Sequence, residues 1–234
     1  MATFGRPSSE ETDEGVVTID DVLRDEELKT FVDSANAQLA ALGFTEHGHR
    51  HAKLVARMAG DVLSRLDFSQ EEVELARIAG YLHDVGNLIH RNAHALSGAM
   101  LAYQGLRRLG MPSKDLAVVM GAIGNHEEEV GIPVSPVAAA VVLADKADVH
   151  RSRVQNPDPE TFDIHDRVNY AATRSALGVE PGQRVVVLEL DIDTQVASVM
   201  NYFEIFLSRM VMMREAARTL GCDYHLVINQ VQLS

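Results

Sequence analysis

Tryptophan is absent from this 234-residue chain, and cysteine occurs once, at Cys222. A single cysteine excludes an intrachain disulfide framework and a thiolate zinc knuckle. It also makes the reducing cytoplasm the expected compartment. Basic side chains are few: 21 Lys and Arg stand against 34 Asp and Glu, for a formal net charge of −13. That balance argues against nucleic acid or an anionic membrane surface as the main partner. No run approaches the ~20 apolar residues of a membrane span. The first fifteen residues lack the basic-then-apolar order of a secretory signal. Residues 1–30 hold nine acids and three bases, and residues 1–14 have no apolar period, so an acidic mobile tail is expected there. Residues 1–19 form a first segment, with a short strand expected at Val16 to Ile19.

The chain does have the hydrophobic content, 46%, for one sizeable core. Helical periods run from Asp20 to Arg153. Asp20 or Asp21 caps a first helix that Gly43 ends, and a second spans roughly 48–66. Ser69 to Glu72 reads as a capping box for a third, ending at Gly86. A fourth covers Asn92 to Gly110 and a fifth Ser113 to Asn125. Ser135-Pro136 opens a sixth, Val137 to Val149, whose first eight residues are apolar all round and belong in the middle of a bundle. Residues 154–183 read as a connecting segment with one short helix near 166–177. Residues 184–234 read as strand, long helix (195–220) and strand, a parallel crossover appendage. The expected fold is mainly α, a helical bundle over 20–153 with a small C-terminal α/β appendage. The apolar surplus on the long helix (Phe203, Phe206, Leu207, Met210, Val211, Met213) points to a homodimer, or to an appendage folded back on its own bundle.

Ten histidines are present, and their placement matters more than their number. His51, His83 with Asp84, His94, His126 and Asp145 each lie near a helix end or in an apolar segment. His51 and His83 are 32 residues apart, as are His94 and His126. A bundle brings such distant helices together, and metal sites in bundles are built from facing helices. Asp145 follows the apolar run Val137 to Ala144, so its carboxylate points inward and needs a cation or a structural partner. Lys146 is next to it, but adjacent helical residues are not expected to face each other. Histidine and aspartate together favour Fe, Mn, Zn, Ni or Co over calcium, and Mg stays within the expected range.

This ordered set resembles the HD superfamily of metal-dependent phosphohydrolases over roughly residues 44–150. The resemblance implies one metal on His51, His83, Asp84 and Asp145. It implies a second on His94 and His126, as in members with two further histidines. It implies hydrolysis of a phosphomonoester or phosphodiester bond, often in a nucleotide, by a metal-activated hydroxide. Asp84 is then the bridging carboxylate, and Asp84, His94 and His126 are the catalytic set. With one metal only, His94 and His126 become phosphate donors or proton carriers. Asn125-His126-Glu127 with Gly131-Ile132-Pro133 is distantly similar to the HD-GYP branch. That branch has adjacent histidines and Gly-Tyr-Pro there, so its cyclic dinucleotide specificity is not carried over. The lysine common three residues after the dyad's aspartate is Asn87 here, which keeps a non-catalytic, metal-dependent nucleotide-sensing module as the alternative.

Arg50, Arg91, Lys146 and Arg151 are candidate phosphate contacts. His47, His49 and His90 are assigned outside the ligand set, and Glu127 is a candidate for the second metal. The second dipeptide, His165-Asp166, lacks partners at fitting spacing and is read as a helix start. The expected partner is a small phosphorylated molecule, with no nucleic acid and no membrane.

Overall fold

The computed structural model describes residues 16–128 and 130–234. The acidic segment 1–14 lies outside them. Val16 to Thr18 is irregular and Ile19 already opens a helix, so the strand expected at 16–19 does not form. The expected first helix is two. Helix α1 (Ile19–Arg24) ends where Asp25 turns extended and caps α2 (Glu26–Ala41), its side chain accepting from Leu28 N at 3.0 Å. Arg108 binds the same carboxylate at 2.8 Å, which holds the break in place.

Helix α3 (His49–Arg65) and α4 (Gln70–Leu82) follow, and the Ser69–Glu72 capping box forms as its spacing requires. Helix α4 stops at His83, short of Gly86, and a 3₁₀ turn occupies Val85–Leu88. Helices α5 (His94–Arg108), α6 (Ser113–Gly124) and α7 (Pro136–Lys146) complete the bundle. Every residue of α7 from Val137 to Lys146 is buried, and the helix packs on α3, α4, α6 and α9. It is the central rod that its uninterrupted apolar run implied.

Residues 154–183 are more than a connection. Helix α8 (Ile164–Ala171) runs directly into a strand, β1 (Ala172–Glu180), where a longer helix was expected. Then come β2 (Val185–Ile192), α9 (Val199–Thr219), β3 (Asp223–Ile228) and β4 (Val231–Gln232). The sheet order is β1-β2-β3-β4. Strands β2 and β3 are parallel, Val185 opposite Asp223 through Leu190 opposite Ile228, as a crossover by α9 demands. Strands β1 and β4 add antiparallel on either side. Helix α9 covers the sheet and also reaches α7, so the appendage is folded onto its own bundle. Its Met200, Leu207 and Val211 remain exposed. No helix of the described residues is long and apolar enough to cross a membrane.

Small residues set how closely the helix ends meet. Gly98 of α5 lies against Gly86 N and His83 O, each 3.2 Å from the place a Cβ would occupy. A methyl on Gly86 would overlap His94 O and Gly98 N. The backbone of α5 must therefore touch the turn after α4, and this sets His94 beside Asp84. Gly86→Ala should lower unfolding free energy by about 2–3 kcal/mol, the cost of overpacking a tight site, as read by urea denaturation. An unchanged midpoint would show that α5 can move away freely.

Candidate metal centre

Six side chains from five different helix ends converge. His51 sits in the first turn of α3, His83 at the end of α4 and Asp84 at the head of the 3₁₀ turn. His94 opens α5, His126 follows α6, and Asp145 is next to last in α7. All six are at least nine-tenths buried. The expected residues are thus brought together, and they sort into two groups around Asp84.

In the first group His51 Nε2 and His83 Nε2 are 3.2 Å apart. Asp84 Oδ2 lies 3.1 Å from His83 Nε2 and 3.6 Å from His51 Nε2. Asp145 Oδ1 lies 3.3 Å from His51 Nε2 and 3.5 Å from His83 Nε2. In the second group His94 Nε2 and His126 Nε2 are 3.0 Å apart. Asp84 Oδ1 is 3.4 Å from the former and 3.8 Å from the latter. The two oxygens of one carboxylate thus face two different pairs of imidazoles. His51, His83 and Asp145 bring donor atoms close enough to share one ion, as do His83, Asp84 and His126.

The outer nitrogens explain why the inner ones point inward. Each Nδ1 meets an acceptor: His83 on Gly80 O at 2.8 Å, His126 on Ile123 O at 2.6 Å, His94 on Arg91 O at 3.1 Å. His51 Nδ1 meets Asp148 Oδ2 at 2.7 Å. With the proton held on Nδ1, each Nε2 offers a lone pair to the centre. Lone pairs facing each other at hydrogen-bond distance repel unless a positive charge lies among them. Asp84 Oδ2 adds to this demand, because it is buried without a hydrogen-bond partner among the described residues. The donor set of imidazoles and carboxylates suits a first-row divalent cation.

Without an ion, a proton on His83 Nε2 takes the place of that positive charge. Burial favours a neutral His83, yet Asp84 and Asp145 beside it push its pKa up to about 10. Burial opposes ionisation of Asp84 and Asp145, but His83 and His47 hold Asp84 well below the usual carboxylate range, and Lys146 and His83 do so for Asp145. The carboxylates are charged, and the pocket between them attracts cations.

Several expected contacts stand elsewhere. Arg50 does not face the cluster. Its guanidinium is taken by Asp148 at 2.7 Å and Glu46 at 2.8 Å, on the outer side of His51. Arg151 does not join it either; its guanidinium lies over the Tyr170 ring at 5.2 Å. Lys146 does face Asp145, Nζ to Oδ2 at 2.7 Å, because the end of α7 lets its long side chain fold back. The same ammonium meets Glu128 at 3.1 Å. Arg91 reaches the centre, with Nη1 3.4 Å from His94 Nε2. Glu127 sits on the outer side of His94, 3.5 Å from Nδ1. His49 pairs with Asp33 and Tyr81. His90 turns to Asn92. His47 stands nearer than expected, its ring 5.4 Å from that of His51. Asp163 caps α8, and His165 and Asp166 line a cavity beside the centre, so that dipeptide is part of the surroundings after all.

Some residues of the site escaped sequence reasoning. Asp148, three residues after Asp145, orients His51 and takes Arg153 at 3.7 Å. Burial works against its charge, but Arg153 and His51 hold its carboxyl far below the usual range. Asn87 stands where the resembling family has lysine. It donates to Asp84 Oδ1 at 3.0 Å and accepts from Arg91 at 3.2 Å, so the positive charge arrives one turn later. Arg209, from α9, meets Glu128 at 2.9 Å. Asp148, two residues past the end of α7, follows Asp145 closely enough in sequence to be a usable signal, whereas Arg209 had none.

Comparison with known proteins places this geometry. The HD domain family model matches residues 46–150, just under half of the chain. An uncharacterized protein of Methanocaldococcus jannaschii is 26% identical over 174 residues, 62% of this chain and 65% of that one. Ribonuclease Y of Streptococcus agalactiae is 27% identical over 145 residues, 59% of this chain and 25% of that one. Ribonuclease Y of Streptococcus pyogenes is 31% identical over 119 residues, 51% of this chain and 21% of that one. The chain therefore spans under two thirds of the archaeal relative and about a quarter of the ribonucleases. Residues 46–150 are an HD domain of the HD superfamily.

Asp148→Asn should weaken metal binding roughly 10- to 100-fold, the usual effect of removing a carboxylate that orients a ligating histidine. Asp84→Ala should abolish binding while keeping most of the helical circular dichroism. Calorimetric metal titration checks both, and normal binding by Asp84→Ala would refute the ligand set.

Proposed function

We propose that this HD domain is a metal-dependent phosphohydrolase acting on a phosphoester of a small molecule. His51, His83, Asp84 and Asp145 would hold one divalent cation, and Asp84, His94 and His126 a second. When bound, such cations activate water for attack on phosphorus and neutralise charge on the phosphoryl oxygens. The observation that carries the reading is Asp84, whose Oδ1 and Oδ2 each face a separate histidine pair.

The chain's own residues supply the rest. Arg91, held by Asn87 beside His94, can donate to a phosphoryl oxygen at the second group. Lys146, between Asp145 and Glu128, keeps a fixed positive charge next to the first. The Nδ1 acceptors keep the imidazoles in one tautomer and one orientation, so little rearrangement accompanies substrate binding. With Asn87 bridging Asp84 and Arg91, the missing lysine no longer singles out the non-catalytic sensing reading. The name ribonuclease Y carries RNA phosphodiester cleavage to this chain as a second reading, supported by the matched HD domain.

Self-association through the exposed face of α9 (Met200, Leu207, Val211) belongs to the same proposal. Light scattering should give a dimer mass, and a monomer of 25.6 kDa would refute it.

Stoichiometry and turnover test the catalytic reading together. Wild type should bind about two metals per chain and His126→Ala about one. Mn²⁺-loaded protein should hydrolyse a generic phosphomonoester or phosphodiester, with activity lost to chelator and restored by metal. Saturation at one metal would move His94 and His126 to substrate binding. A fully loaded protein that turns over no monoester, diester or short RNA would favour sensing.

A further inference from the structure

A cavity of about 240 Å³ adjoins the ligand atoms and is walled by both halves of the chain. From the bundle come Phe44, His47 and Arg91, and from the later elements Arg153, Phe206 and Arg209. Its inner end touches the metal centre, where Arg91 Nη1 lies 3.4 Å from His94 Nε2. Arg209 stacks on Phe206 at 4.2 Å and uses Nε on Glu128, which leaves its terminal nitrogens as donors. Arg153 is committed to Glu46 O and Asp148 O, so it contributes field rather than hydrogen bonds. This end suits an anion.

The opposite wall, α8, has the reverse chemistry. Asp163 uses Oδ1 to cap the helix on Asp166 N at 2.8 Å. Asp166, 6% exposed, takes one long bond on Oδ2 from Asn156 at 3.3 Å. Asn169, 4% exposed, donates through Nδ2 to His165 O at 2.9 Å. Among the described residues, Asp163 Oδ2, Asp166 Oδ1 and Asn169 Oδ1 remain as acceptors on α8. These acceptors open onto the cavity, with Asp163 exposed and Asp166 and Asn169 nearly covered, so an occupant that brings donors matches them. A cationic amine would meet repulsion from Arg153 and Arg209, whereas hydroxyl groups carry no such penalty.

We propose that this cavity holds the alcohol part of the substrate, and that this part is a pentose- or hexose-sized polyol, so that the substrate is a sugar phosphate. Arg91 and Arg209 anchor the phosphate end, and Asp163, Asp166 and Asn169 take the hydroxyls. The apolar ring of Phe44, 40% exposed, meets the sugar ring's C–H groups. The volume equals about eight waters at ~30 Å³ each, which accommodates a sugar ring. The proposal rests on the phosphohydrolase reading of the adjoining metal centre. It makes the appendage, through Arg209, a part of the substrate site.

The test pairs binding with turnover on the full-length, metal-loaded protein. Dissociation constants for ribose 5-phosphate, pentyl phosphate, adenosine monophosphate and inorganic phosphate come from thermal-shift titrations, and phosphate release is assayed on the same samples. Ribose 5-phosphate should bind at least tenfold more tightly than pentyl phosphate, which has the same chain length without the hydroxyls. Asn169→Ala should shrink that ratio to about threefold or less while leaving pentyl phosphate unchanged. Equal affinities, or no binding by either ester in the wild type, would overturn the proposal without any variant. Adenosine monophosphate binding tenfold more tightly than ribose 5-phosphate would overturn the size limit. Selective binding without phosphate release would instead sink the phosphohydrolase reading and leave the polyol pocket standing.

Discussion

One buried carboxylate sets the terms for the rest of the bundle. Asp84 lies between two pairs of imidazoles, with one oxygen toward each, and Oδ2 is buried with no hydrogen-bond partner among the described residues. A charge placed there is tolerable only if positive charge comes to it from both sides. The helix ends are arranged to allow that. Helix α4 stops so that His83 and Asp84 leave the helical path, and the glycine contact of Gly86 with α5 brings His94 within reach. Central α7 carries Asp145 into the same space near the end of its buried run.

Around this centre a second set of contacts does the orienting. Three imidazoles are anchored on carbonyls of the turn that precedes them, so local helix geometry suffices. His51 alone depends on a side chain, Asp148, which Arg50 and Arg153 hold in turn. A further chain of charge runs from Arg209 to Glu128, to Lys146 and to Asp145. Burial would keep Glu128 neutral, but Lys146 and Arg209 draw its pKa down to about 2. The appendage is thereby tied electrostatically to a candidate metal ligand on the bundle.

Much of this is legible in the amino-acid sequence. The Ser69 capping box, the Ser135-Pro136 start and the unbroken apolar run of α7 are local signals that tertiary packing does not override. The order of the histidines and aspartates is legible because every one sits where a helix begins or ends. What is not legible depends on partners far away in the chain. Asp25 breaks the first helix with Arg108 bound to its carboxylate. Strand β1 reads Ala-Thr-Arg-Ser-Ala-Leu-Gly, with neither alternation nor a β-branched run, and it forms by pairing with β2. Lys146 reaches its neighbour because α7 ends there, which a periodicity argument for helix interiors does not cover. Arg50 is drawn outward by Asp148, and Arg209 inward by Glu128, and neither choice leaves a mark in local sequence.

The most direct test of the shared carboxylate is a crystal structure of the Mn²⁺-loaded protein with anomalous difference maps. Two anomalous peaks are expected, one against Asp84 Oδ2 with His51, His83 and Asp145, the other against Asp84 Oδ1 with His94 and His126. A single peak, or peaks that leave either oxygen of Asp84 without a cation, would contradict the shared-carboxylate centre.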